Sequence, residues 1–277
     1  MILEMDYQLV LEKMKRNKIL IRINKLEDIN DLKKLGISNF LFPLDEFSIG
    51  YNSFKIDELL NIDGNVYLLL NRVLDNNGID DFKKNIDKIS FVKGIIYEDL
   101  GIYQILKDKE IPLIWNQNHF AVNTSSINYW LEKVSSVVIS NELEKDELNN
   151  ILDRVNKPII LPILGLNMAM YSRRYLISFY NEFKGLKQIK KAILKTNDDN
   201  EFIAMENNYG TVLFYKKYYN LIKEIDKFND KKILFYYIDP NLLSINDIKD
   251  ILNGKVIDED NRFYKNKTVY RIGDLDD

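Results

Sequence analysis

The hydrophobic residues of this chain occur in short unbroken runs that are separated by polar segments with helical periodicity. Eight such runs are predicted strands, at residues 19–24, 40–44, 66–71, 92–98, 112–116, 136–140, 158–164 and 232–239. The runs are continuously apolar rather than alternating, which is typical of parallel strands that are buried on both faces. The sheet is therefore expected to be parallel and covered by helices.

The segments between the runs carry apolar residues at helical spacing, as in "KLEDINDLKKLG" and "LEKDELNNILDRV". Eight strands that alternate with helices predict an α/β protein with a (β/α)8 TIM-like barrel. A doubly wound open sheet is the alternative. We predict one barrel domain over residues 1–277, with an N-terminal helix at 1–17.

One interval departs from the alternation. Residues 166–230, between the seventh and eighth strands, form a segment too long for a simple crossover, and they include "KKAILKTNDDNEFIAMENNYGTVLFYKK". This stretch predicts three strands joined by an acidic turn and a tight "NNYG" turn. We expect a small β insertion on the barrel rim.

The amino-acid composition excludes several kinds of catalytic and metal-binding site. The chain of 277 residues is 46% hydrophobic and 29% charged, as in ordinary folded proteins, and it contains no cysteine and one histidine, His119. These counts exclude disulfides, thiolate nucleophiles, cysteine-held iron–sulfur clusters and metal sites built from several histidines. We therefore expect no cofactor and no metal site.

The distribution of charge along the chain does not favour a protein that binds nucleic acid on its own. The net charge is -3, the pI is about 5.5, and lysines and acids are interspersed without a basic arm. The N-terminal stretch has acids and no long apolar core, so it does not resemble a signal peptide. No run approaches the length of a membrane span, and a cytoplasmic protein without membrane contact is expected.

In a (β/α)8 barrel, ligands bind at the carboxyl ends of the strands. The polar residues just past the apolar runs are therefore candidates. They are Asn24, Asp45, Glu46, Asn71, Arg72, Glu98, Asp99, Asn116, Gln117, Asn118, His119, Ser140, Asn141, Glu142 and Asp239. Each could instead cap the next helix or simply be a polar loop residue. His119 could serve as a general base or metal ligand beside an acid, or as an ordinary surface histidine.

The stretch "ILGLNMAMYSRRYLISFY" (163–180) places two arginines inside an apolar segment. Arg173 and Arg174 could form an anion-binding corner that clamps a carboxylate or phosphate. They could also be a surface pair on a helix that buries Tyr175, Ile177 and Tyr180. We expect at least one arginine to face the strand-end residues Glu98, Asn116, Asn123 and Glu142, because buried carboxylates need a cationic or hydrogen-bonding partner.

Several short motifs share their order and spacing with a known family. "EDLG" (98–101), an Asn-rich loop "WNQNHFAVN" (115–123), "SNEL" (140–143) and "MYSRR" (170–174) follow successive strands. "FSIGYNSF", "LLLNRV", "NNYGTVLF" and the terminal "FYKNKTVYRI" continue the series. In this respect the chain resembles the collagenase-like peptidase family U32 over nearly its whole length after about residue 18.

The resemblance implies proteolysis or, in several branches, RNA modification, including hydroxylation of the tRNA wobble uridine with prephenate as a co-substrate. Many members of the family carry a cysteine-bound iron–sulfur cluster. The chain departs from the family pattern at Met168 and Tyr175, which stand at cysteine positions. It also departs at Leu164, Asn141 and Asn116, which stand at a histidine, an arginine and an acid position. It therefore resembles a short, cluster-free branch.

The resemblance and the strand-end positions together give eight candidate ligand-binding residues. They are Asn71, Glu98, Asn116, Asn123, Glu142, Tyr171, Arg173 and Arg174. Catalytic residues remain unassigned, and enzymatic activity stays an open question.

Three functions remain. The first is a non-proteolytic subunit in wobble 5-hydroxyuridine formation, partnered by a longer related family subunit, with tRNA and a small carboxylate such as prephenate as further partners. The second is a collagenase-like peptidase. The third is a scaffold that keeps the barrel without its chemistry.

Overall fold

The barrel closes. The computed structural model describes residues 16–117, 119–197 and 200–267. Eight parallel strands form the barrel: β1 (Ile19–Arg22), β2 (Asn39–Pro43), β3 (Asn65–Leu70), β4 (Gly94–Tyr97), β5 (Leu113–Asn116), β6 (Ser136–Val138), β7 (Ile159–Ser172) and β11 (Ile233–Ile238). Each pairs with the next, and β11 pairs with both β7 and β1. The predicted (β/α)8 barrel is confirmed, and the open-sheet alternative is wrong.

Helices cover the outside of the barrel. They are α1 (Ile29–Lys34), α2 (Ile56–Leu59), α3 (Asn76–Asn85), α4 (Leu100–Leu106), α5 (Thr124–Leu131), α6 (Lys145–Arg154), α7 (Leu176–Phe183), α8 (Ile245–Leu252) and α9 (Arg262–Lys265). The spacing of apolar residues decides which face each helix buries. In α6, for example, Leu148, Ile151 and Leu152 face the strands. No helix within the described segments has the length and apolar character needed to cross a bilayer.

The N-terminal helix predicted at 1–17 falls almost entirely outside the described residues. The described chain begins with a single 3₁₀ turn, Arg16–Lys18.

The barrel interior is a closed layer of apolar side chains. Every barrel strand contributes one residue to it: Leu20, Leu41, Leu69, Ile96, Ile114, Val138, Ile160 and Phe235. These eight side chains fill the barrel as a packed core rather than a pore. The packed layer leaves no room for a ligand among these eight side chains, and the cavity described below lies beyond the layer, at the carboxyl ends of the strands.

The predicted β insertion is also confirmed. Strand β7 continues past the barrel and pairs antiparallel with β10 (Gly210–Asn220), which pairs with β9 (Glu201–Asn207), which pairs with β8 (Lys191–Lys195). The tight turn before β10 uses Gly210 at a φ of 137°, a conformation that favours glycine. The insertion thus forms a short sheet that rises over one side of the barrel mouth.

Helix α7 is fixed to the insertion by one buried carboxylate. Glu206 of β9 accepts hydrogen bonds from the backbone amides of Ile177 and Ser178 at the start of α7, at 2.9 and 3.2 Å. Burial opposes ionisation of Glu206, but hydrogen bonds from Lys190 and Ser178 outweigh it and hold the pKa of Glu206 at about 2. A carboxylate at a helix N-terminus also complements the helix dipole.

Candidate functional site

A cavity of about 300 Å³ lies at the carboxyl end of the barrel, where the strand-end residues converge. Asparagines, tyrosines, methionines and two carboxyl side chains line it. The lining includes Tyr51, Asn71, Glu98, Asn116, Gln117, His119, Asn141, Met168, Met170, Tyr171, Tyr219, Tyr237 and Asp239. The sequence-based expectation of a strand-end cavity is therefore met, and Asn71, Glu98, Asn116 and Tyr171 lie in it.

Glu98 is the most perturbed carboxyl group at the cavity. It follows β4, and its Oε1 accepts a hydrogen bond of 2.9 Å from Asn116 Nδ2. Gln117 Nε2 donates to the backbone oxygen of Glu98 at 2.7 Å, which fixes the turn on which Glu98 stands. Burial raises the pKa of Glu98 to about 8, because an ionised carboxylate loses its hydration there without gaining a cation. At neutral pH, Glu98 is therefore mostly a neutral acid that can donate a hydrogen bond or a proton.

A second carboxyl group, Asp239, lies in an ion pair with a buried arginine. Arg22 Nε lies 2.6 Å from Asp239 Oδ1, and both side chains are buried. The Arg22 guanidinium also lies over the ring of Tyr51, with Cζ 4.2 Å from the ring centroid. The site thus has a glutamic acid whose pKa is raised by burial on one side and an aspartate paired with a buried arginine on the other.

Tyrosines close the wall near Asp239. Burial, and then the nearby Asp239 carboxylate, raise the pKa values of Tyr219 and Tyr237 far above the ordinary value. Gly165, where β7 leaves the barrel, permits this packing. A Cβ at Gly165 would lie 3.1 Å from both the Asp239 Cβ and the Tyr219 hydroxyl. These phenols stay neutral, and the Tyr237 hydroxyl donates to Asp239 Oδ2 at 3.4 Å.

Asn71 has a structural task at the cavity wall. Its Oδ1 accepts from the Ile49 amide at 3.0 Å, and its Nδ2 donates to the Ile49 carbonyl at 3.1 Å. This bidentate pairing holds the loop after β2 over the barrel, so Asn71 has little capacity left for a ligand.

Two other candidates lie outside the cavity lining. Asn123 accepts from the Ser126 amide at 2.9 Å and caps α5, so the capping alternative holds for it. Glu142 pairs with His119 at 3.2 Å. The exposed fraction of the His119 side chain is 65%, so this pair is a rim feature. Asn118 lies outside the described residues.

The two arginines of "MYSRR" do not face the barrel carboxyl groups. Arg173 Nη2 pairs with Asp75 Oδ2 at 3.0 Å, and both side chains are about half exposed. The Arg174 side chain is exposed, and its guanidinium has no hydrogen-bond partner among the described residues. The expected contact with Glu98 and Glu142 is therefore absent from the described structure. The arginines stand between β7 and α7, at the mouth rather than inside the cavity.

The mouth nevertheless carries basic and aromatic residues side by side. The guanidinium of Arg72 lies over the ring of Tyr209, with Cζ 4.0 Å from the centroid. Tyr171 lies between the mouth and the cavity, within electrostatic range of the mouth residues Arg72 and Arg173 and of the cavity residue Glu98. Burial raises the pKa of Tyr171. Basic, acidic and aromatic side chains therefore stand together at the mouth, with Arg173 paired to Asp75 and Tyr209 in electrostatic range of both Glu46 and Arg72.

Sequence reasoning missed the cavity residues Tyr51, Tyr219 and Tyr237, and also Arg22, which pairs with the cavity residue Asp239. One signal for Arg22 was present, since it is a charged residue inside the apolar run "ILIRIN", and a buried arginine requires a partner. The tyrosines carried no such signal, because aromatic residues are common in strands and loops alike.

The chemistry of the donor set does not fit an iron–sulfur cluster. At the two family cysteine positions stand Met168, which lines the cavity, and Tyr175, whose hydroxyl donates to the Asn208 carbonyl at 2.8 Å. Neither a thioether nor a phenol replaces a thiolate ligand in such a cluster. Within the described residues, no three His, Asp or Glu side chains are grouped as a metal site.

Comparison with known proteins assigns the family. A search of curated proteins gives no match. The model of Peptidase family U32 matches residues 55–262, which include β3 to β11 and the whole insertion. Since the match covers most of the chain, this protein belongs to Peptidase family U32.

Proposed function

We propose that this protein is a non-proteolytic cytoplasmic subunit in the formation of wobble 5-hydroxyuridine in tRNA, and that its barrel cavity binds a small carboxylate such as prephenate. The observation that carries the proposal is the place of Glu98 in the cavity wall, where Asn116 Nδ2 donates to its Oε1 at 2.9 Å and burial raises its pKa to about 8. An ionised carboxylate would repel an anionic ligand, whereas a protonated one donates a hydrogen bond to it.

The surroundings of Glu98 support a small polar ligand. Asn141, Tyr171 and Tyr237 offer amide and phenol groups, and Met168 and Met170 offer apolar contact. A volume of about 300 Å³ suits a compact metabolite rather than an extended polypeptide. The charge of the ligand would be balanced from the mouth by Arg72 and Arg173.

The mouth also supports an RNA partner. Arg72, Arg173 and the exposed Arg174 lie near Tyr175 and Tyr209, and such residues bind phosphates and stack on bases. The chain as a whole is acidic, with a net charge of -3, so we infer that a longer related subunit supplies the rest of the RNA-binding surface.

Deletion of the gene tests the proposal. We expect the 5-hydroxyuridine-derived nucleosides of total tRNA, measured by mass spectrometry, to disappear or fall strongly and to return on complementation. An affinity-tagged copy should recover a longer family member. Unchanged nucleoside levels in the deletion strain would refute the proposed role.

A peptidase is the second candidate, favoured by the His119–Glu142 pair of 3.2 Å at the rim and by the name of the family. Hydrolysis of a peptide requires an activated nucleophile or a metal-bound water. Incubation of the purified protein with casein and gelatin, with and without divalent cations, separates the two proposals. Cleavage that is lost in His119→Ala and Glu142→Gln would reverse their order.

A further inference from the structure

A second concave site lies on the outside of the barrel, between α4 and α5. We call it the aromatic cleft and define it by its lining, Leu100, Trp115, Gln117, Phe120, Ser125, Ser126, Tyr129 and Trp130. Its volume is about 600 Å³, twice that of the barrel cavity. Gln117 lines both, but the cleft lies on the outer side of β5, because Trp115 packs on the outer face of β5 while its neighbour Ile114 packs inside the barrel.

The walls of the cleft are flat aromatic rings. Trp115 and Trp130 stack with their centroids 4.7 Å apart, and Tyr129 meets Trp130 edge to face at 5.8 Å. Phe120 and Tyr129 at the opening are 66% and 55% exposed. Side chains of this size usually bury their rings, and exposed patches of such residues mark interaction sites.

One polar group under the cleft lacks a partner. Trp115 is 4% exposed, and its indole Nε1 has no hydrogen-bond partner among the described residues. A buried donor without an acceptor is costly and uncommon in proteins. The nitrogen is covered by neighbouring atoms, so an acceptor reaches it only when a wall side chain moves.

The polar end of the cleft is formed by the start of α5. Ser125 and Ser126 stand in the first turn, and Asn123 already caps the Ser126 amide. The first backbone amides of the helix have no intrahelical acceptors, and this end of the helix dipole is positive. Past the other end of α5, Lys133 lies over the Tyr129 ring, with Nζ 4.5 Å from the ring centroid.

We propose that the aromatic cleft binds a planar aromatic ring that carries an anionic group. The ring lies against Tyr129 and Phe120, the anion lies at the start of α5 beside Ser125 and Ser126, and an acceptor on the ligand pairs with the Trp115 indole. A pyrimidine nucleotide and an aryl carboxylate share this chemistry. This proposal does not depend on the proposed role in tRNA modification.

The chain provides its own reporter for the test. It contains two tryptophans, and both line the cleft, so selective excitation of tryptophan reports on the cleft alone. The purified full chain is titrated with uridine 5′-monophosphate, with benzoate and with ribose 5-phosphate. We expect saturable quenching by at least one of the first two probes and none by ribose 5-phosphate, which lacks the ring.

The identity of the active probe distinguishes the sources of the ligand. Quenching by uridine monophosphate alone assigns a nucleotide, and quenching by benzoate alone assigns an aryl acid. Quenching by neither overturns the proposal, and so does equal quenching by ribose 5-phosphate. An emission change that follows protein concentration without any probe also overturns it, because the cleft is then covered by a second copy of the chain.

Matched variants place the binding in the cleft. Trp115→Phe keeps a ring but removes the indole donor, and Trp130 remains as the reporter. We expect this variant to bind the active probe about fivefold more weakly, the effect of one lost hydrogen bond. Ser126→Ala and Tyr129→Ala should also weaken binding, whereas Glu98→Gln in the barrel cavity should leave it unchanged. Wild-type affinity in all three cleft variants would overturn the proposal.

Discussion

Glu98→Gln should remove the part of the pH dependence of the free energy of unfolding that arises from ionisation of Glu98. Burial raises the pKa of Glu98 from 4.5 to about 8. Because the folded state keeps this proton at pH values where the unfolded chain has lost it, the free energy of unfolding falls as the pH rises through this window and levels off above about pH 8. Glutamine keeps the shape and can still accept from Asn116, but it does not ionise.

The size of this change in the free energy of unfolding follows from the difference between the two pKa values of Glu98. At about 1.4 kcal/mol for each pH unit, the change from 4.5 to about 8 sets an upper limit of about 5 kcal/mol over the whole window. Between about pH 5.5 and pH 8.5, wild type should lose about 3 kcal/mol relative to Glu98→Gln. Water in the cavity screens the charge and lowers this figure.

Urea unfolding at the two pH values measures the difference directly. Glu110→Gln is the matched control, since Glu110 is an exposed carboxylate on the loop before β5 and the same substitution there removes one carboxylate outside the cavity. If Glu98→Gln and wild type differ by the same free energy at both pH values, Glu98 ionises normally and the reasoning about the cavity fails.

Three further predictions concern the frame of the site. Asp239→Asn should cost about 3–5 kcal/mol in urea unfolding, because it leaves the buried guanidinium of Arg22 without its counter-charge; a loss below 1 kcal/mol would contradict the importance of the pair. Gly210→Ala should cost about 2 kcal/mol, because its φ of 137° and the adjacent β7 backbone leave no space for a Cβ, and an unchanged midpoint would refute this. Arg173→Ala should change the free energy of unfolding by under about 1 kcal/mol, because its pair with Asp75 is half exposed, and a larger loss would show a structural role.

The barrel could be predicted from the sequence because its strands are buried on both faces. That burial produces unbroken apolar runs in the sequence, and the run 232–239 completes the set of eight. The insertion was predictable for a different reason, since "NNYG" supplies the glycine that the turn before β10 requires.

The contacts of individual side chains could not be predicted in the same way. Arg173 lies about half exposed beside Asp75, and its partner is on a loop far away in sequence. No local pattern shows which of several nearby acids a flexible arginine will contact. The pairing of Arg22 with Asp239 likewise depends on the closure of the barrel between β1 and β11, a non-local event.

The most direct test of the central claim is to measure tRNA nucleosides in a deletion strain that carries plasmid copies of the gene. Glu98→Leu replaces the acid at the cavity wall with an apolar side chain of similar size. Glu110→Leu makes the same change at an exposed position. We predict that wild type and Glu110→Leu restore 5-hydroxyuridine and that Glu98→Leu does not, with all three proteins folded and equally abundant. Full restoration by Glu98→Leu would contradict the claim that the barrel cavity is the working site.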